Sequence, residues 1–180
     1  SAARKIHNYF FLKSLDAVRE GGIVAFITSQ GVLDAPSNAP IREYMMRNAN
    51  LVGVARLPNN LFTDNAGTEV GSDLIILQKN SGKKRELYDY EELFVQTEKT
   101  PIGSFQNGYV GSIGMIPHSD LISGTDPYGK PAYKVMHRDG IEQMAEDLRE
   151  HMDIELYKLD KKLYEMHSLH PAQGKSTVTE

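Results

Sequence analysis

The side chains best suited to chemistry cluster in two short polar segments, each following an apolar run. Thr28, Ser29, Gln30 and Gly31 follow the run 23–27; Arg56, Leu57, Pro58, Asn59, Asn60, Leu61 and Phe62 follow the run 51–55. Their hydroxyl, carboxamide and guanidinium groups can hold a hydrogen-bonding or anionic ligand. Arg56 is the only fixed cation among them and the best candidate for a phosphate contact. Each group also has a bland reading. Residues 28–30 suit plain connection chemistry equally well, and Asn59 and Asn60 suit a turn. For Phe62 a core position is commoner than a ligand contact.

Three further groupings are weaker. His167 and His170 stand three apart beside Glu165, but a preformed metal site needs a third ligand and a rigid frame, so no metal site is expected. Gly108, Gly111 and Gly114 miss the phosphate-loop spacing and lack its lysine. Lys130, Lys134, His137 and Arg138 lie near Tyr128 and Tyr133; this basic cluster could meet phosphate, with a solvated loop as the default.

The elements that position these residues follow from periodicity. Residues 6–20 read as a helix, with Ile6 and Phe10 four apart, Phe11 and Leu15 four apart, and Val18 at the next turn. Gly21 and Gly22 end it, and a buried strand at 23–27 follows at once. That arrangement is half of a βαβ unit, so its leading strand is expected upstream of residue 1. Pro40 opens a second helix with the stripe Ile41, Tyr44, Met45 and Ala49, before a strand at 51–55. Asp64, Asn65 and Gly67 turn the chain into a third strand, 74–77. No helix fits between the second and third strands, so they should be antiparallel neighbours. The third is apolar on both faces, which places it centrally. The first two strands, running in parallel, share a carboxyl edge. Residues 28–31 and 56–62 should therefore converge there, joined by residues 71–73.

Beyond residue 80 the pattern weakens. Residues 81–85 are a polar, basic break, and 87–96 a short amphipathic element. Residues 101–130, rich in glycine and proline, read as a long loop with little regular structure, and 132–136 as a short strand. Asp139, with Glu142 three residues on, reads as the cap of one long helix to Met166. Its stripe is Ile141, Ala145, Leu148, Met152, Leu156, Leu159, Leu163 and Met166, suited to core packing or a coiled-coil seam.

Composition sets outer bounds. A chain of 180 residues with 40% apolar and 24% charged residues can form one domain with an appendage. It has no cysteine, which removes disulfides and thiolate chemistry and points to a cytoplasmic protein. No apolar run reaches the roughly 18–20 residues of a membrane span, so no membrane partner is expected. Up to Asn80 there are 8 Lys/Arg against 7 Asp/Glu; from Ser81 onward there are 12 against 17. That balance lacks the basic footprint of an autonomous nucleic-acid binder.

Taken together, helix, Gly-Gly, "IVAFITSQGVLD", helix, "LVGVARLPNNLF" and "GTEVGSDLIILQKN" resemble the second half of an N6-adenine DNA methyltransferase. The likeness is to the modification-subunit type, including bacterial proteins that fuse a methylase to a helicase, and it covers residues 6–80. "GTDPYGKPAYKVMH" resembles the segment just after the methylase in the fused members. The resemblance implies a Rossmann-like sheet of which these are the last three strands, the final one antiparallel and inserted centrally. It implies S-adenosylmethionine as cofactor of the parent protein and DNA as partner. It also places Ser29, Gln30, Arg56, Asn59, Asn60 and Phe62 on the target-base side of the cleft. Tyr9 and Phe10 would lie just after the family's catalytic tetrapeptide and could line the cofactor pocket, although a helix packing face explains both.

Two departures matter. Neither the family's glycine-rich cofactor loop nor its Asn/Asp-Pro-Pro-aromatic tetrapeptide occurs here, and Asp126-Pro127-Tyr128 has a single proline in the wrong place. No catalytic residue is assigned. The expectation is an α/β fragment: residues 1–80 the C-terminal half of a methyltransferase-like domain, 81–138 a loop-rich extension, 139–180 a helix and polar tail. It would act with the missing N-terminal half and be inactive alone. The rival expectation is a non-catalytic interaction module that binds DNA weakly or forms a homodimer through the helix 139–166.

Overall fold

A computed structural model describes residues 2–61 and 71–168, with residues 2–8, 167 and 168 described as backbone only. Helix α1 (Ala2–Ala17) buries Phe11 and Leu15, one turn apart, against strand β1 (Ile23–Ser29). The Phe11 and Phe26 rings meet edge to face, 5.0 Å between centroids. Burying one such ring contributes about 1.5–3 kcal/mol. Between them Gly21 takes φ +71°, and a Cβ there would stand 2.4 Å from the Leu163 carbonyl oxygen, so only glycine fits the turn.

Helix α2 (Gly31–Asp34) and a 3-10 turn (Pro36–Asn38) lead into α3 (Ala39–Asn48), which has Pro40 in its first turn. Helix α3 buries Ile41, Met45 and Met46 and also Arg42. The Arg42 guanidinium survives burial by donating to the carbonyls of Val95, Val32 and Ala35. Strand β2 (Ala49–Leu57) is buried along its whole length, and a 3-10 turn (Asn59–Leu61) follows it. Strand β3 (Ser72–Lys79) lies between the other two, antiparallel to both, giving the order β1-β3-β2. The third strand is thus central, as its two apolar faces require. The first is not the fully buried strand its composition suggests. It forms an edge, with Ile27 65% exposed, because its only described ladder is the one to β3.

The chain beyond residue 80 shares this core. Helix α4 (Asp89–Val95) places Phe94 in it, and α5 (Gly108–Ser112) adds Tyr109 and Val110. Residues 101–130 are more regular than their glycine and proline content suggests. Strands β4 (Thr97–Lys99) and β5 (Phe105–Asn107) form a hairpin that turns at Gly103, φ +85°. Strands β6 (Ser119–Thr125) and β7 (Pro131–His137) form a second hairpin, so the expected short strand has a partner. Glycine and proline are hairpin-turn residues here, not signs of a structureless loop.

The single helix expected from Asp139 to Met166 is broken. Helix α6 (Ile141–Glu155) starts from Gly140 without a side-chain cap, gives way to a 3-10 turn (Leu156–Lys158), and α7 (Lys161–Ser168) begins afresh. Asp160 explains the break: its carboxylate accepts from the Leu163 N–H, capping α7, while Gln78 holds its backbone from both sides. The face of α6 is also rotated from the apolar stripe. Ile141 is exposed, and Met144, Asp147, His151 and Glu155 are buried. No continuous seam for the expected homodimer therefore runs from 139 to 166.

Glu91 joins the two parts of the chain. Buried on α4, it accepts from Lys83 at 2.6 Å, Arg85 at 2.5 Å and the backbone N–H groups of Leu51 and Tyr88. Burial pushes its carboxyl up, but the hydrogen bonds from Arg85 and Lys83 outweigh this and hold it below the ordinary value. A carboxyl with a depressed folded-state pKa stabilises the fold above its unfolded value and loses that contribution as pH falls through the folded one. Urea midpoints should fall more steeply below about pH 4.5 in wild type than in Glu91→Gln; parallel curves would contradict this role.

Candidate functional site

The ends of β1 and β2 meet at one edge because both pair with the same residue. Ser29 and Leu57 are each opposite Ser72 of β3. The Gln30 N–H donates to the Gly71 carbonyl at 2.9 Å. A Cβ at Gly71 would lie 2.1 Å from Gln30 Oε1 and 3.6 Å from Asn59 Oδ1, so these two side chains close over that glycine. The expected convergence of residues 28–31 with 56–62 and 71–73 is thus the geometry of the chain as far as the described part of 56–62, which ends at Leu61, extends.

A cleft of about 530 Å³ opens at this edge. One side carries Ser29 and Gln30; the other carries Phe105 and, from the β6–β7 hairpin, Tyr128, Lys130 and Tyr133. Its size falls in the range of small-molecule sites. Tyr128 is 88% exposed at the hairpin tip. The tip is shaped by Asp126, whose Oδ1 accepts from the N–H groups of Tyr128 and Lys130, with Gly129 at φ +77°. Asp126-Pro127-Tyr128 is therefore a hairpin turn, not a strand-end catalytic loop.

Arg56 forms the floor, and its role differs from the expected one. It is 3% exposed and engaged by two carboxylates. Nε donates to Asp73 Oδ1 at 2.8 Å, Nη2 to Asp73 Oδ2 and Asp34 Oδ1 at 2.9 Å, and Nη1 to Asp34 Oδ2 at 2.9 Å. Burial opposes its charge, yet the carboxylates outweigh burial and raise its pKa further. The reason lies in the register, which sets Arg56 opposite Asp73 on the central strand. A guanidinium held this way has no fork left for a phosphate. Asp34 also accepts from the Asn107 backbone N–H at 2.9 Å, so the network ties α2, β2, β3 and β5 together below the cleft.

Asn59 and Asn60 serve the hairpin. Asn59 Oδ1 accepts from the Val135 N–H at 3.0 Å; Asn60 accepts from the His137 N–H at 3.0 Å and donates to its carbonyl at 3.2 Å. These side chains act as a short strand edge for β7. Asn59 Nδ2 is buried without a partner beside Gly71. Tyr9 and Phe10 are both 61% exposed on α1 and do not line the cleft. Phe62 lies outside the described residues. Of the basic cluster, Lys130 lines the cleft, Arg138 pairs with Asp120 at 2.7 Å and His137 is buried. Sequence reasoning placed Asp73 at the shared edge but missed its pairing with Arg56, which was findable from the antiparallel register, and missed Asp34 and Asn107.

A central antiparallel strand flanked by two parallel ones, with a cleft at their shared edge, makes this a mixed α/β domain. The family model described as "N-6 DNA Methylase" matches residues 2–107, and the chain belongs to that family. It is also 28% identical over 79 residues to "Defense against restriction protein B" of Escherichia phage P1, a match covering 44% of this chain and 4% of that protein. The chain thus spans a small fraction of the length of the curated relative it matches. Among the described residues no helix is long and apolar enough to cross a membrane.

Proposed function

We propose that this chain forms one wall of the target-base cleft of an S-adenosylmethionine-dependent DNA adenine-N6 methyltransferase, of the helicase-fused modification-subunit type, and is inactive alone. The observation that carries this reading is that the family-matched region brings the ends of β1 and β2 to one edge, where Ser29, Gln30 and Arg56 line a cleft that the β6–β7 hairpin, outside that region, completes. Its walls suit an unstacked base: tyrosine faces for stacking, Ser29 and Gln30 for the base edge, and Lys130 for a flanking phosphate. Among the described residues β1 has no ladder on its outer edge and exposes Ile27, which supports a further strand-bearing half packing there.

None of the described residues is assigned to S-adenosylmethionine in this reading. The sequence has no glycine-rich strand-to-helix loop, and Tyr9 and Phe10 stand away from the cleft. In this reading the cofactor belongs to the other half, and the chain's residues bind and orient the base.

Fluorescence anisotropy with a labelled duplex, fully paired or carrying one mismatched adenine, tests the wall. Wild type should bind weakly, with Kd of about 10–100 µM, and favour the mismatched duplex, whose base leaves the stack more easily. Tyr128→Ala should erase that preference. Lys130→Ala should weaken both duplexes alike and lower the salt slope by about 1. Equal binding by wild type and both variants would sink the cleft reading. Labelled methyl transfer to DNA at high protein concentration should show no turnover; turnover would overturn the claim of inactivity.

A further inference from the structure

His118, His137 and Asp147 come from three separate places in the sequence and meet at the base of the β6–β7 hairpin. His118 Nδ1, His137 Nε2 and an Asp147 carboxylate oxygen all lie within 4.8 Å of one another. Both rings point at the same oxygen, Oδ2, from 2.8 Å and 2.7 Å. We infer that these three residues form a binding site for a late first-row divalent cation, with zinc the best fit, that clips the hairpin to α6.

Five features argue for a cation site over a chance hydrogen-bonded cluster. The donor set is two imidazoles and one carboxylate, which suits zinc and its neighbours and disfavours magnesium and calcium. Ligands about 2.0–2.2 Å from a tetrahedral ion stand roughly 3.4 Å apart, so the carboxylate would withdraw by about half an ångström while the two ring nitrogens, within 4.8 Å of one another, settle to the same spacing. The outer shell is in place. Gln143 Nε2 donates to Asp147 Oδ1 at 2.9 Å, leaving Oδ2 to face the rings. His137 Nδ1 accepts from the Asp139 N–H at 3.1 Å, which fixes the ring, so an ion at Nε2 would replace the proton that Nε2 shares with Asp147 Oδ2.

The frame is rigid as well. The Arg138 N–H donates to the His118 carbonyl at 2.9 Å, and His137 pairs with Ser119, so the two histidines are fixed across the hairpin. Helix α6 carries Asp147 and is itself held to β2, where His151 Nε2 lies 2.8 Å from the Val54 carbonyl oxygen. Finally, His118 adopts φ +57°, alone among described non-glycine residues. Such a backbone is disfavoured for a residue with a Cβ, and here it turns the ring toward Asp147. The ring remains 49% exposed, giving an ion an entry path and a fourth position for water.

The consequence reaches the cleft. Strand β7 is the one that Asn59 and Asn60 hold, and the hairpin it belongs to ends in Tyr128 and Lys130. A cation at the hairpin base would fix that wall. The inference does not depend on the methylase reading and can fail separately from it.

The test is zinc uptake by the full chain, stripped with chelator and measured by equilibrium dialysis, with cobalt absorption as the probe of coordination. One zinc per chain at micromolar zinc is expected, with a tetrahedral cobalt spectrum and a rise in Tm. Gln143→Ala should weaken binding about 10–100-fold, and His118→Ala should weaken it more. His118→Ala should remain folded by circular dichroism because its ring is half exposed; if it does not, Gln143→Ala carries the test. The double variant His167→Ala/His170→Ala should bind as wild type does. Absence of uptake, uptake unchanged in both site variants, or uptake lost in the tail variant would each overturn the site.

Discussion

In urea, the Arg56→Ala chain should unfold at a much lower midpoint than wild type, by the equivalent of about 3–5 kcal/mol. The substitution removes the only counter-charge that fully buried Asp73 has among the described residues, and the fork that holds Asp34. Asp73 already has its carboxyl pushed up by burial, and Arg56 is what keeps the ionised form tolerable. Without it, Asp73 must either take up a proton or stay buried and unpaired, and both cost stability. Arg56→Lys should recover little, since one ammonium cannot reproduce a fork that makes four hydrogen bonds to two carboxylates. Replacing Arg56 and Asp73 together by apolar residues should cost less than Arg56→Ala alone, because no charge is left stranded. A loss below about 1 kcal/mol for Arg56→Ala would mean that the guanidinium is free, as the polar segment alone suggests.

That contrast shows where the sequence was readable. The central place of β3 was legible because Leu74, Ile75, Ile76 and Leu77 are apolar on both faces and no helix precedes them. The shared edge followed from strand directions alone. The exposure of β1 did not, since Ile23 and Ile27 are the residues a buried strand would carry; only its having a single ladder among the described residues distinguishes the cases. The face of α6 was misread for a different reason. Its buried stripe includes Asp147, His151 and Glu155, which a count of apolar residues passes over. Each is satisfied across the fold: Glu155, for instance, accepts from Tyr109 and from Lys158. A buried polar residue with long-range partners leaves no local signal, and the burial of Arg56 and Asn107 was missed in the same way.

Asn107→Asp should be at least as damaging as Asn107→Ala near neutral pH, each costing about 2–4 kcal/mol. The side chain is fully buried and works in two directions. Its Oδ1 accepts from the N–H groups of Tyr109 and Val110, capping α5. Its Nδ2 faces three carbonyls: Leu33 at 3.2 Å, Phe94 at 2.7 Å and Gln96 at 3.3 Å. Alanine loses both sets. Aspartate keeps the cap but turns a carboxylate oxygen toward those carbonyls, putting an unpaired negative charge in the core. The two variants separate with pH. Burial and the carbonyls raise the folded-state pKa of the new carboxyl above its unfolded value. Its protonated form can donate to a carbonyl, so stability is recovered below the unfolded pKa and lost as pH rises through the folded one. Asn107→Asp should therefore gain on Asn107→Ala as pH is lowered from 7 toward about 4, read as urea midpoints at each pH. Because the Asn107 backbone N–H also binds Asp34, its side-chain variants should couple to Arg56→Ala in a double-mutant cycle by at least about 0.5 kcal/mol. Strict additivity, or parallel pH curves for the two Asn107 variants, would show that α5 and the cleft floor are held independently.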